Sequence, residues 1–100
     1  MVIKRDSFQG TYVAEECNRE VLKEYLRKGG EHALNVPLCG ADYDVFHYAG
    51  STVVLERHPF GYGYVVELRV FPKNEPNSHR VLNELEKVLL KEQQVVAKSS

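Results

Sequence analysis

The sequence predicts an α+β fold: a small antiparallel sheet, built from a three-stranded meander and an N-terminal strand, with two helices packed on one face in the order β-α-β-β-β-α. Three observations carry this. Between Tyr43 and Phe71 the runs YDVFHY, STVVLERHP and YGYVVELRVF are split by the turn sequences Ala49-Gly50 and Pro59-Phe60-Gly61. Within each run apolar and polar side chains alternate, the period of a strand with one buried face. A charged stretch with apolar residues at helical spacing lies on each side of the three runs.

The elements follow in chain order. Val2 to Val13 reads as a strand on the strength of Phe8, Tyr12 and Val13, with Gly10 breaking it or marking a bulge. Ala14 to Lys28 reads as the first helix. Cys17, Val21, Leu22, Tyr25 and Leu26 form its apolar stripe, and Arg19 falls on the opposite face. Glu15 and Glu16 in its first turn and Arg27 and Lys28 in its last suit the helix dipole. Glu24 is spaced to pair with Lys28, and Gly29-Gly30 is expected to supply a left-handed cap. His32 to Asp42 contains Pro37 and Gly40 and is expected to be an extended or looped connection. Pro72 to Asn77 reads as a turn-rich linker. The second helix is expected to begin at Asn77 or Ser78, both good N-caps, and to end near Gln94. Val81, Leu82, Leu85, Val88 and Leu89 make its buried stripe; Val95 and Val96 extend it, and residues 97–100 form a frayed tail.

The pattern also predicts a register. A two-residue turn at Ala49-Gly50 sets Phe46 across from Val53 and Val45 across from Val54. A loop over Pro59 to Tyr62 sets Leu55 across from Val66 and Val53 across from Leu68. One face then carries Phe46, Tyr48, Val53, Leu55, Tyr64, Val66, Leu68 and Val70, and both helices are expected to cover it. The other carries Tyr43, Val45, His47, Thr52, Val54, Glu56, Val65, Glu67, Arg69 and Phe71, with Val54 opposing Glu67 and Thr52 opposing Arg69. That second face is too apolar for one wholly in water, and apolar strips of this kind often mark interfaces.

Composition narrows the function classes. The chain has 100 residues, 43% of them hydrophobic and 27% charged, with a formal net charge of -1. This is one domain, residues 1–100, with no internal repeat. Interleaved acids and bases argue against a globally basic nucleic-acid binder. No apolar run reaches membrane-spanning length. The start lacks a secretory h-region, and Cys17 and Cys39 show no CxxC spacing. Reduced thiols in a cytoplasmic protein are the simplest expectation, with a Cys17–Cys39 disulfide as the alternative.

No motif identifies a chemistry. Cys39, Asp42, Asp44 and His47 are metal-ligand types, but their spacing fits no tight signature, and a strand from Tyr43 sends Asp44 and His47 to opposite faces. No metal and no cofactor is expected. The aromatic and glycine-rich segment His58 to Tyr64 fits a hairpin turn, with Tyr64 entering the core, better than a ligand loop. Asn77, Ser78, His79 and Arg80 form a candidate anion site at the start of the second helix, where free N–H groups gather. The competing reading there is ordinary capping. Ser51, Ser78 and Cys17 are potential nucleophiles, yet no spacing links them to a histidine base, so no catalytic residue is assigned. The function expected is a non-enzymatic protein–protein interaction domain, a homodimer through its half-apolar sheet face or a sheet edge. Tyr43, Val45, His47, Val54, Val65, Arg69 and Phe71 are its contact residues. The alternative is single-stranded nucleic-acid binding by the same face, which Glu56 and Glu67 oppose by repelling phosphate. A small hydrolase ranks third.

Overall fold

Alternating apolar residues from Glu31 onward produce four consecutive antiparallel strands, one more than the sequence pattern declares. The computed structural model describes residues 4–6, 11–15, 17–61, 63–73 and 75–99. The four strands are β3 (Glu31–Leu38), β4 (Ala41–Tyr48), β5 (Ser51–Phe60) and β6 (Gly63–Phe71). Helix α1 (Cys17–Gly29) precedes them and α2 (Pro76–Ser99) follows. A hairpin of β1 (Lys4–Asp6) and β2 (Thr11–Glu15) joins the free side of β6. The result is a six-stranded antiparallel sheet in the order β1-β2-β6-β5-β4-β3.

Tight turns drive the meander. Cys39 (φ 50) and Gly40 (φ 82) link β3 to β4, and Ala49 (φ 50) and Gly50 (φ 82) link β4 to β5. Positive φ at both central residues is the signature of a primed turn, whose twist matches that of the strands it joins. At the third turn Phe60 pairs with Gly63, and Gly61 has φ 59. The segment expected as an extended or looped connection is therefore β3 plus a turn. Pro37 survives in it because β3 is an outer strand. Residues flanking a two-residue turn form a hydrogen-bonded pair, so alternation turns the Pro37 nitrogen toward the open edge.

The β4–β5 register is the expected one, with Phe46 across from Val53 and Val45 across from Val54. The β5–β6 register is corrected by two residues. Leu55 lies across from Leu68 and Val53 from Val70, because Pro59 and Phe60 belong to β5 and pair with Tyr64 and Gly63 instead of lying in a loop. Thr52 thus opposes Phe71, Val54 opposes Arg69, and Glu56 opposes Glu67. A slip of two leaves every side chain on its expected face.

Both helices cover the expected face. Leu22 and Leu26 of α1 and Val81, Leu82, Leu85 and Leu89 of α2 form one core with Phe46, Val53, Leu55, Leu68 and Val70. Tyr25 and Tyr48 pack at its margin, and burial followed by a hydrogen bond to Glu84 raises the Tyr48 hydroxyl above its ordinary pKa. Tyr64 is a correction: it is exposed, with the Arg57 guanidinium 3.9 Å above its ring.

Helix limits shift as well. Ala14 and Glu15 belong to β2, which pairs with β6, so α1 starts at Cys17. Its side chain lies outside the described residues. Gly29 and Gly30 do not take a left-handed cap. Gly30 is needed instead for close approach, since a Cβ there would collide with the His47 carbonyl oxygen. The Glu24–Lys28 pair forms at 3.3 Å. Helix α2 begins one residue earlier than expected, with Pro76 in its first turn, and runs past Gln94 to Ser99. Among the described residues no helix is long and apolar enough to cross a membrane.

Candidate interaction face

Because both helices sit on one side, the other side of the sheet has no cover from them. Cross-strand register arranges it in rows. One row runs Leu34, Val45, Val54, Arg69; the next runs Val36, Tyr43, Glu56, Glu67. Beyond them, His47, Thr52 and Phe71 share a row with Glu31, and Leu38 pairs with Ala41. Tyr43, Val45, Val54, Arg69 and Phe71 are half-buried, and His47 is exposed. The structure therefore places all of these expected contact residues on one face. Val65 shares that face by its register opposite His58, but its side chain lies outside the described residues.

Sequence reasoning missed the most exposed part of this face. Leu34, Val36 and Leu38 of β3 are 47%, 41% and 57% exposed, and among the described residues only Tyr64 and Leu90 join them as exposed large hydrophobics. The signal was present. Leu34-x-Val36-x-Leu38 alternates in front of Cys39-Gly40, a turn like Ala49-Gly50. Pro37 in the middle of the run hid it.

Charge gathers beside this apolar strip. Arg69 Nε lies 2.9 Å from Glu56 Oε2, and Arg69 Nη2 donates to Glu67 Oε2 at 3.0 Å. His58 Nε2 stands 3.8 Å from a carboxylate oxygen of each. The register sets the two glutamates directly opposite each other, which is unfavourable on its own. Arg69 offsets it with a planar fork that serves both. The ligand-type atoms of Glu56, His58 and Glu67 come within 4.8 Å of one another, but the guanidinium already supplies the positive charge they would offer a cation.

A second polar cluster lies under α1 and was also missed. Arg19, expected on the outer face of α1, is buried, and its Nη2 donates to Oδ2 of Asp42 and, at 2.8 Å, to Oδ2 of Asp44. Asn35 Nδ2 bonds Oδ1 of Asp42 at 2.8 Å and Oδ1 of Asp44 at 2.9 Å. His32 Nε2 is 3.0 Å from Asp44 Oδ1, its ring stacked on Phe46 with centroids 4.6 Å apart. Lys23 Nζ is 3.6 Å from Asp44. Burial pushes Asp44 up, but the Asn35 hydrogen bond and the charges of Lys23 and Arg19 outweigh it and hold the carboxyl below its ordinary 3.8. This network pins α1 to β3 and β4, although the buried Arg19 Nε has no hydrogen-bond partner in it. Asp44 and His47 do point to opposite faces, and Cys39 is a free, exposed thiol in its turn. The four expected ligand types therefore do not converge.

The candidate anion site is divided. Asn77 Nδ2 donates to the Ala49 carbonyl at 2.9 Å and to Ser51 Oγ at 2.8 Å, and the Ser51 and Ser78 hydroxyls lie 3.5 Å apart. These side chains stitch the start of α2 to the β4–β5 turn. His79 and Arg80 are exposed beside them. Ser51 and Ser78 are buried and hydrogen-bonded to each other, and Ser51 Oγ also accepts from Asn77 Nδ2. Compared with protein-family models, curated proteins and solved structures, the chain matches none.

Proposed function

We propose that this chain is a non-enzymatic interaction domain that binds another protein through its uncovered sheet face. One observation carries the reading: three large aliphatic residues of an outer strand stand 41–57% exposed on a face that also presents Tyr43, Val45 and Val54. Each Å² of apolar surface left in water costs about 25 cal/mol, which a covering partner recovers. The composition is that of a contact site, an apolar centre with an aromatic and a charged, partly solvated margin at Glu56, Glu67 and Arg69. Nucleic acid fits the face less well. Glu31, Glu56 and Glu67 lie on it, and a phosphate backbone meets their charge before Arg69 can compensate. A cytoplasmic setting agrees with the free, exposed Cys39.

Photocrosslinking tests this. With benzoylphenylalanine at Val36, the expected outcome is a discrete adduct in cells that make the protein. The same probe at Lys87, exposed on α2, should give none. Equal labelling from both positions, or none from Val36, sinks the reading.

A further inference from the structure

Resting on that interaction reading, we propose that the partner is a second copy of this chain. The two sheets pack face to face about a two-fold axis that runs across the strands, between the Val45 row and the Tyr43 row. The rows are self-complementary under this operation. Each strand lies over its own counterpart, reversed. On β3, Leu34 meets the partner's Val36. On β4, Val45 meets the partner's Tyr43. On β6, Arg69 meets the partner's Glu67, and the reciprocal contact repeats it. Moving the axis by half the row spacing, onto either row, loses this, because Glu67 then faces Glu67 or Arg69 faces Arg69. A two-fold contact must use the same patch on both copies, and this patch meets itself apolar on apolar along β3 and β4 and opposite on opposite along β6, while on β5 Val54 lies against the partner's Glu56.

The guanidinium has donors to spare. Arg69 offers five N–H groups, and Glu56 and Glu67 of its own chain engage Nε and Nη2. Size is adequate too. Strands about 4.8 Å apart, rising about 3.3 Å per residue, give β3 to β6 a face of about 19 by 26 Å. That is about 500 Å² in flat projection, and side-chain relief brings it toward the roughly 800 Å² each partner gives in a standard interface. Stacked sheets of this kind cross at about 30°.

The edge of β3 is the competing route, and the strand argues against it. Pro37 has no N–H to give a new neighbour, and the register breaks between His32 and Leu34. Both are devices that block strand addition. Face-to-face packing needs no backbone donors from β3.

Sedimentation equilibrium of the whole chain, from about 1 to about 500 µM, tests the proposal. The parent should be dimeric within this range. Arg69→Glu and Glu67→Arg should each weaken self-association at least about tenfold, because each sets like charges against each other across the axis. Mixed one to one, the two variants should dimerise again, since every crossing pair is then opposite in charge. Circular dichroism establishes that each variant is folded. Should either unfold, Val36→Lys replaces it and should weaken association without touching the ion cluster. A parent that stays monomeric overturns the second-copy proposal, and so do variants that dimerise like the parent or a mixture of folded variants that stays monomeric. A monomeric parent that still crosslinks from Val36 to a different protein overturns only this proposal and leaves the interaction reading standing.

Discussion

Asp44 is fully buried, yet it stays ionised because Asn35, His32, Lys23 and Arg19 replace its water. Its folded pKa lies below the unfolded value, so its contribution to stability is complete above the unfolded value. That contribution is lost as the pH falls through the folded one. Urea midpoints should accordingly fall on acidification below about pH 4, and Asp44→Asn should show a shallower fall. Arg19→Ala leaves an aspartate pair short of its main cation and should cost about 3 kcal/mol in the same melts. A loss under about 0.5 kcal/mol would mean that the ion pairs of Arg19 contribute nothing. Arg19 stands three and seven residues before Leu22 and Leu26, so helical spacing places it beside the buried stripe and not opposite it, but period alone cannot tell a buried arginine from a solvated one. What decides is the charge on the strand beneath it, here Asp42 and Asp44, and that becomes legible only once β4 is placed under α1. Ala49 teaches the opposite lesson. Its turn was plain from Ala49-Gly50, but alanine is a poor fit to φ 50. Ala49→Asn should therefore stabilise the fold by about 1 kcal/mol, read as a rise in urea midpoint.

Whole elements were legible where period and burial agree. The stripes of α1 and α2 read correctly because each buries one face only, and Leu22, Leu26, Leu85 and Leu89 are fully buried. Leu26→Ala and Leu85→Ala should each cost about 2–5 kcal/mol, since the cavity left behind cannot collapse under a sheet. Val36→Thr, on the uncovered side of β3, should change monomer stability by less than about 0.5 kcal/mol. Similar losses at all three positions would mean that β3 is covered within the monomer. Strand β3 escaped notice for a local reason. Its Pro37 argues against a strand everywhere except at an edge, and edge position is a property of the sheet, not of the segment. The β5–β6 register slipped by two because Pro59 and Phe60 resemble a loop, while in the structure they extend β5 to a tighter turn.

At the scale of the molecule, the division into a covered and an uncovered face was legible, since a two-residue slip preserves it. The strength of the uncovered face was not, because its most exposed residues lie on the strand that Pro37 concealed. Val45→Lys should weaken self-association while leaving the thermal midpoint of the dilute protein within a few degrees, because the lysine ammonium is desolvated against the partner's Tyr43 only when a partner arrives. Unchanged sedimentation would show that Val45 lies outside any contact. Single-stranded oligonucleotides at moderate salt should leave the sedimentation of the parent unaltered, given the carboxylates on the face.

Because β3, β4 and β5 are joined by two-residue turns and Phe60 of β5 pairs with Gly63 of β6, each new strand can zip onto its predecessor by closing a very short loop. Such hairpins form in about 1–10 µs. Strand β2 is different, for its Tyr12 must find Leu68 across most of the chain, and loop closure over that span carries a larger entropy cost. The meander should thus assemble first and the N-terminal hairpin dock last. Pulse-labelled hydrogen exchange during refolding should find β4 and β5 amides protected before those of β2, and simultaneous protection would mean that one cooperative step forms the whole sheet.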